Sequence, residues 1–169
     1  MSFRVVLTVR DLPDVPGWVR EQLAESGIDF AARNCKSADD FLALAAEADA
    51  VWTMGVNSVI TPETLAKLPR CKAVMRSGSG VDGLPVEAAT RLGIWVANTP
   101  ESIAESVADH AIALLFAVVR QIPFYDAAVR RNEWFTHGTA RIRWHLSGQT
   151  LGLVGFGQIA RHVAAKLVG

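Results

Sequence analysis

The sequence has little sulfur, no excess of either charge and no apolar run long enough for a membrane. Only two cysteines occur, Cys35 and Cys71, far apart and outside any CxxC or CxxxH context. That leaves neither a disulfide framework nor a thiolate metal site, and both are read as buried or incidental thiols. The four histidines, His110, His137, His145 and His162, show no HExxH or other ligand spacing, so no metal site is expected. Lys plus Arg equals Asp plus Glu at 17 each, which gives no net field to attract nucleic acid or an anionic membrane. No stretch reaches the roughly 20 apolar residues that span a bilayer. The opening MSFRVVLTVRDLPD meets charge and proline too soon for a signal peptide. The expectation is a cytoplasmic protein.

What is present is the balance of a globular chain: 169 residues, half apolar and a fifth charged. Short β-rich runs alternate with helical stretches over the first hundred residues, the mark of a parallel sheet covered by helices. Strands are predicted at Phe3 to Val9, Ile28 to Ala32, Asp49 to Met54, Cys71 to Arg76 and Ile94 to Asn98. Between them an amphipathic helix runs from Val15 to Ser26 and stops at Gly27. Ser37 caps a second helix, with Asp39 and Asp40 at the positive end of its dipole. Thr61-Pro62-Glu63 starts a third. Val86 to Leu92 forms a fourth, closed by Gly93. The fold class is α/β with a flavodoxin-like layer.

After residue 99 the pattern changes. Thr99-Pro100-Glu101 is predicted to open a long helix reaching about Arg120. Its stretch AIALLFAVV is apolar all round, which requires burial on several sides. A second helix follows from Pro123 to Arg131. Asn132 to Leu146, with Trp134, Phe135 and Trp144, has no clear period and is read as a loop. Its aromatics are either partly buried or exposed at an interface.

The densest signal lies near residue 150. Thr150 to Val154 reads as an apolar strand, and Gly155-Phe156-Gly157-Gln158-Ile159-Ala160 matches G-x-G-x-x-G/A before an amphipathic helix. In that context Gly155 makes a tight turn and Gly157 lets the backbone approach a pyrophosphate. Ala160 lets helix and strand pack closely, and the N–H groups near Gln158 and Ile159 face the phosphates. A glycine turn with no ligand is the alternative. The acid that holds an adenosine ribose sits about 20 residues past such a loop, so the chain is expected to be the front part of a longer protein.

Three segments in order resemble the D-isomer-specific 2-hydroxyacid dehydrogenases. Arg76-Ser-Gly-Ser-Gly-Val-Asp82 is similar to the family's R-x-G-x-G-x-D turn. Val96-Ala-Asn-Thr-Pro100 running into SVADHAIALLFAVVR is similar to its V-x-N-x-P and V-A-E/D-H helix. Leu146-Ser-Gly-Gln-Thr-Leu-Gly-Leu-Val-Gly-Phe-Gly-Gln-Ile-Ala160 is similar to its L-x-G-K-T-L-G-x-x-G-x-G-x-I-G, with Gln149 and Ala160 as departures. The resemblance implies a substrate domain over residues 1–99 and the start of an NAD(P)-binding Rossmann domain over 100–169. It implies hydride transfer between NAD or NADP and a small D-2-hydroxy or 2-keto acid.

By the same resemblance the backbone N–H groups of Ser79 and Gly80 hold the substrate carboxylate. Consecutive amides form an anion nest, so the chemistry fits. Arg76 either offers a cation beside the substrate or makes a surface salt bridge. Asp82 resembles the motif's acid, or caps the turn. The family's catalytic Arg, Glu or Asp, and His have no counterpart here, and His110 is not that histidine. No turnover is expected from these 169 residues alone. Residues 102–146 are expected to build a homodimer. The alternative is a dinucleotide-sensing or dimerising binding protein of the same fold, without turnover.

Overall fold

The computed structural model describes residues 2–9, 15–55, 58–134 and 145–168. The chain divides into two compact units, Met1–Ser102 and Ile103–Gly169.

Unit one carries β1 (Phe3–Val9), α1 (Gly17–Glu25), β2 (Ile28–Asn34), α2 (Ala38–Ala45), β3 (Ala50–Met54), α3 (Pro62–Leu65), β4 (Ala73–Ser77), α4 (Val86–Arg91) and β5 (Trp95–Asn98). All pairings are parallel and the strand order is β2-β1-β3-β4-β5. This is the flavodoxin-like order, which reverses direction between β1 and β3. One face of the sheet presents Val6, Val51 and Val74 to Phe41, Leu44, Leu65 and Ala89 from the three helices α2, α3 and α4. On the other face, Leu7 packs with Val15, Val19, Phe30 and Trp52. Met75 and Trp95 lie toward the β5 end of that second face, and Trp95 is 79% exposed.

Local chemistry explains the boundaries. Ser37 Oγ accepts the Asp40 N–H at 3.1 Å, and Asp40 Oδ2 accepts the Ser37 N–H at 3.1 Å, a reciprocal cap that starts α2. The Ser37 hydroxyl, ahead of the neighbouring backbone donors, holds the Asp40 carboxyl below its ordinary pKa. Thr61 and Thr64 exchange the same pair of bonds at the start of α3. Gly27 and Gly93 end their helices at φ +69° and +71°. Buried Asp49 joins three segments, accepting the Arg4 N–H at 2.9 Å and the Arg70 guanidinium at 3.0 Å. Both cysteines are buried and free, and burial pushes the Cys71 thiol up.

Unit two holds α5 (Ala104–Val119), α6 (Ile122–Arg130) and α7 (Gln158–Leu167). Ala104, Ala108, Ala128 and Val163 are buried among its described residues. Lys166 on α7 bridges Asp109 at 2.9 Å and Glu105 at 3.0 Å on α5, and these contacts, Asp109 first, raise its pKa.

Three expectations need correction here. The long helix begins at Ala104, not Thr99. Thr99 does not cap it: its hydroxyl accepts the Gly78 N–H at 2.7 Å, and Ser102 Oγ donates to the Thr99 carbonyl at 2.9 Å in an intervening turn. Thr150 to Val154 is not a strand: a strand needs a paired neighbour, no described segment pairs with it, and Val154 is fully exposed. The apolar half of α5 is not buried on several sides either. Leu114 is 52% and Val118 74% exposed, while Leu115, Phe116 and Val119 line a cavity of about 530 Å³ with Leu146, Leu151 and Leu167. Trp134 is exposed, and Phe135 and Trp144 lie outside the described residues.

Candidate functional site

The turn that follows β4 is built from the sheet upward. Register places Thr8 beside Thr53, Thr53 beside Arg76, and Arg76 beside Asn98. A row of four polar side chains therefore crosses β1, β3, β4 and β5 near their carboxyl ends, on the face that otherwise carries the main core. Ligands of open α/β sheets bind outside that edge. Thr8 and Thr53 are fully buried, and Thr53 Oγ1 and Arg76 Nε have no hydrogen-bond partner among the described residues.

Beyond this row the chain turns through Gly78, Ser79 and Gly80. Gly78 adopts φ +120°, which requires glycine. Each carbonyl of the turn is tied back to the protein. The Thr99 N–H donates to Gly78 O at 3.0 Å, Asn98 Nδ2 donates to Ser79 O at 2.8 Å, and Arg76 Nη1 donates to Gly80 O at 2.7 Å. On the preceding residue, Ser77 Oγ accepts the Trp52 indole N–H at 2.8 Å. The N–H groups of Ser79 and Gly80 have no acceptor among the described residues. The turn is thus polarised, acceptors toward the sheet and donors away from it, and such a surface binds an anion.

Arg76 is placed inside this arrangement. Its guanidinium holds the Gly80 carbonyl, and a Cβ added to Gly80 would lie 3.6 Å from its Nη1. No salt bridge joins it to a described carboxylate, so the surface ion pair considered above is absent among the described residues. Asp82 is exposed just beyond, and no capping bond from its carboxylate occurs among the described residues. The sequence gives Asn98 no role, and Thr99 only that of a helix start. The only signal was their place in the V-x-N-x-P segment, because the contacts that define them span 19 and 21 residues.

The second glycine segment lies in unit two. Gly155 has φ +89°, and among the described residues nothing beyond the adjoining backbone lies within 4 Å of where a Cβ would stand on Gly155 or Gly157. Gly157 caps α7 with extended backbone and no side-chain cap, so the amides of Gln158, Ile159 and Ala160 lack intrahelical partners. Arg161 donates to Phe156 O at 3.3 Å, and its own N–H closes the first helical bond to Gly157 O at 3.0 Å. Three free amides at a helix N-terminus beside open backbone suit a phosphate. His110 lies exposed on α5.

Each unit thus presents a cluster of backbone amides without acceptors among the described residues. The D-isomer specific 2-hydroxyacid dehydrogenase catalytic domain matches residues 12–162. The chain belongs to this family. It is 37% identical over 168 residues to the D-3-phosphoglycerate dehydrogenase of Mycobacterium tuberculosis, covering 99% of this chain and 30% of that protein. To the glyoxylate reductase of Pyrococcus furiosus it is 39% identical over 131 residues, 73% of this chain and 38% of the relative. Among solved structures, an acyclic imino acid reductase in complex with NADPH and D-Arg superposes with TM-score 0.81 at 28% identity, covering 95% of this chain and 52% of that one. The NADPH-dependent glyoxylate/hydroxypyruvate reductase of Sinorhizobium meliloti, in complex with NADP and malonate, gives TM-score 0.72 at 28% identity, covering 99% and 50%. This 2-hydroxyacid dehydrogenase family chain therefore spans 30 to 38% of those two curated relatives and about half of the two solved structures.

Proposed function

We propose that this chain supplies the substrate-carboxylate site and the dinucleotide phosphate loop of an NAD(P)-dependent D-2-hydroxyacid dehydrogenase. Unit one is the substrate domain and unit two the beginning of the nucleotide-binding domain. The observation that carries the reading is the polarised turn after β4, whose carbonyls are all engaged while the amides of Ser79 and Gly80 stay free.

In this reading those two amides hold the carboxylate of a small 2-hydroxy or 2-keto acid, and Arg76 adds positive charge beside the turn. The fit of a dinucleotide is tested by the second segment. Gly155 and Gly157 leave open space for a pyrophosphate, and the amides of Gln158, Ile159 and Ala160 face it along the dipole of α7. Bound there, NAD(P) supplies the hydride acceptor or donor for C2 of the acid. Oxidation of the hydroxyl also releases a proton, which an acid–base group must take up. The chain alone then binds ligands without turnover. Leu114, Val118, Ile122 and Val129, exposed on α5 and α6, supply the apolar surface of a homodimer in the same reading.

The test is direct. A full-length protein that carries this chain should oxidise NADH or NADPH in the presence of glyoxylate or hydroxypyruvate. Gly157→Asp, which places bulk and negative charge against the pyrophosphate, should raise the KM for the dinucleotide at least tenfold, the direction set by the loop's need for close backbone approach. Absence of turnover with either dinucleotide across a panel of small 2-keto acids would refute the proposal.

A further inference from the structure

The C=O and N–H of one trans peptide point in opposite directions because the unit is planar. The bond that holds a carbonyl therefore also aims the next residue's N–H. Applied to the turn after β4, this gives each holding group one amide. The Thr99 N–H on Gly78 O aims the Ser79 N–H outward, and Asn98 Nδ2 on Ser79 O aims the Gly80 N–H outward. Arg76 Nη1 on Gly80 O does the same for Val81, whose N–H also lacks an acceptor among the described residues.

From this we infer that Asn98 and Thr99 are positioning residues of the carboxylate site, acting through the peptide planes of Gly78 and Ser79, and that Arg76, through the Gly80 carbonyl, aims the adjoining Val81 N–H as a third donor. The inference rests on the reading of Ser79 and Gly80 as the carboxylate-binding amides. It adds which side chains make that possible.

Three observations support it. First, the donors come from outside the turn: Asn98 ends β5, Thr99 directly follows it, and Arg76 belongs to β4. The turn's orientation is therefore imposed by the sheet. Second, Thr99 is doubly committed, since its Oγ1 accepts the Gly78 N–H at 2.7 Å while its own N–H donates to Gly78 O at 3.0 Å. That pair fixes both peptide planes flanking Gly78, the residue at φ +120° and the one most free to swing. Third, the Arg76 side chain is directed to a backbone carbonyl, so its cation is partly spent on an internal bond and does not stand free in front of the amides.

The test uses the 169-residue chain, 15N-labelled, titrated with sodium malonate and followed at the Ser79 and Gly80 amide resonances. Malonate is a stable dicarboxylate that cannot react. The wild-type chain should show saturable shifts at both amides. Asn98→Ala should weaken malonate binding about tenfold, the scale of losing one well-placed hydrogen bond, with the largest change at Gly80. Thr99→Val, which keeps the backbone N–H but loses the hydroxyl acceptor, should act mainly at Ser79, and Thr99→Ser should restore wild-type affinity. Arg76→Gln, a neutral donor, should bind malonate more tightly than Arg76→Ala.

Wild-type shifts with unaltered affinity in Asn98→Ala and Thr99→Val would overturn the positioning roles and leave the anion reading standing. Failure of the wild-type amides to respond would instead overturn the anion reading and this inference with it. Loss of binding only in variants that also lose resonance dispersion across the sheet, with Thr99→Ser no better than Thr99→Val, would show a structural role and overturn the inference.

Discussion

The hydroxyl of Thr53 makes unit one less stable than it needs to be. Thr53 is fully buried at the centre of the sheet, between Thr8 on β1 and Arg76 on β4, and its Oγ1 has no partner among the described residues. A buried, unsatisfied polar group costs about 1–3 kcal/mol. Thr→Val is normally a poor exchange because a hydroxyl bond is lost. Here there is none to lose, the shapes match, and valine suits a strand as well as threonine does. Thr53→Val should therefore stabilise by about 1 kcal/mol, which for a unit of this size raises Tm by roughly 4 °C or more. Urea unfolding followed by circular dichroism measures it. The midpoint should rise at constant slope, since the surface exposed on unfolding is unchanged. Destabilisation by more than about 0.5 kcal/mol, outside the usual scatter of neutral changes, would mean that the hydroxyl is satisfied in solution and the reasoning fails. If the variant is more stable but binds malonate less tightly, the hydroxyl is a cost maintained for the site, through its neighbour Arg76.

Further outcomes follow from other parts of the fold. Ser37→Ala removes one half of the reciprocal cap of α2 and should lower stability by about 1 kcal/mol in the same assay. The Asp49 carboxyl is held below its ordinary pKa, first by the Arg4 N–H and then by the Arg70 side chain. Its contribution is complete above the unfolded value of about 3.9 and is lost as pH falls through the lower folded value. Tm should thus fall on acidification below about pH 4, and the fall should be shallower in Asp49→Asn; equal slopes would exclude Asp49 as a source of acid sensitivity. Val118→Asp puts a charge on the exposed apolar face of α5 and should shift a dimeric chain to monomer in light scattering. An unchanged mass would move the proposed dimer surface elsewhere.

The sheet was legible in the sequence because burial repeats along each strand with a period the chain itself carries. Val6 and Thr8, Val51 and Thr53, and Val74 and Arg76 alternate with residues of the opposite face, and the caps at Ser37 and Thr61 are short-range chemistry. Thr150 to Val154 shows where that logic stops. Its apolar pattern is that of a strand, but a ladder belongs to two segments, and no described segment pairs with this one. The apolar half of α5 is the same case for a helix: composition states that a face must be covered and cannot say by what.

The site divides along the same line. Its donors were readable, because glycines at 78, 80, 155 and 157 announce backbone that approaches a ligand. Their aim was not. The start of α5 and the turn after β4 look like separate features in sequence, but one residue governs both. Thr99 has the type and position of a helix cap, and its hydroxyl is taken instead by Gly78, 21 residues earlier. The helix then begins five residues later, at Ala104, and the turn gains a fixed orientation. Local preference lost to a tertiary bond at the turn proposed to hold the ligand, as expected where function rather than foldability sets the geometry.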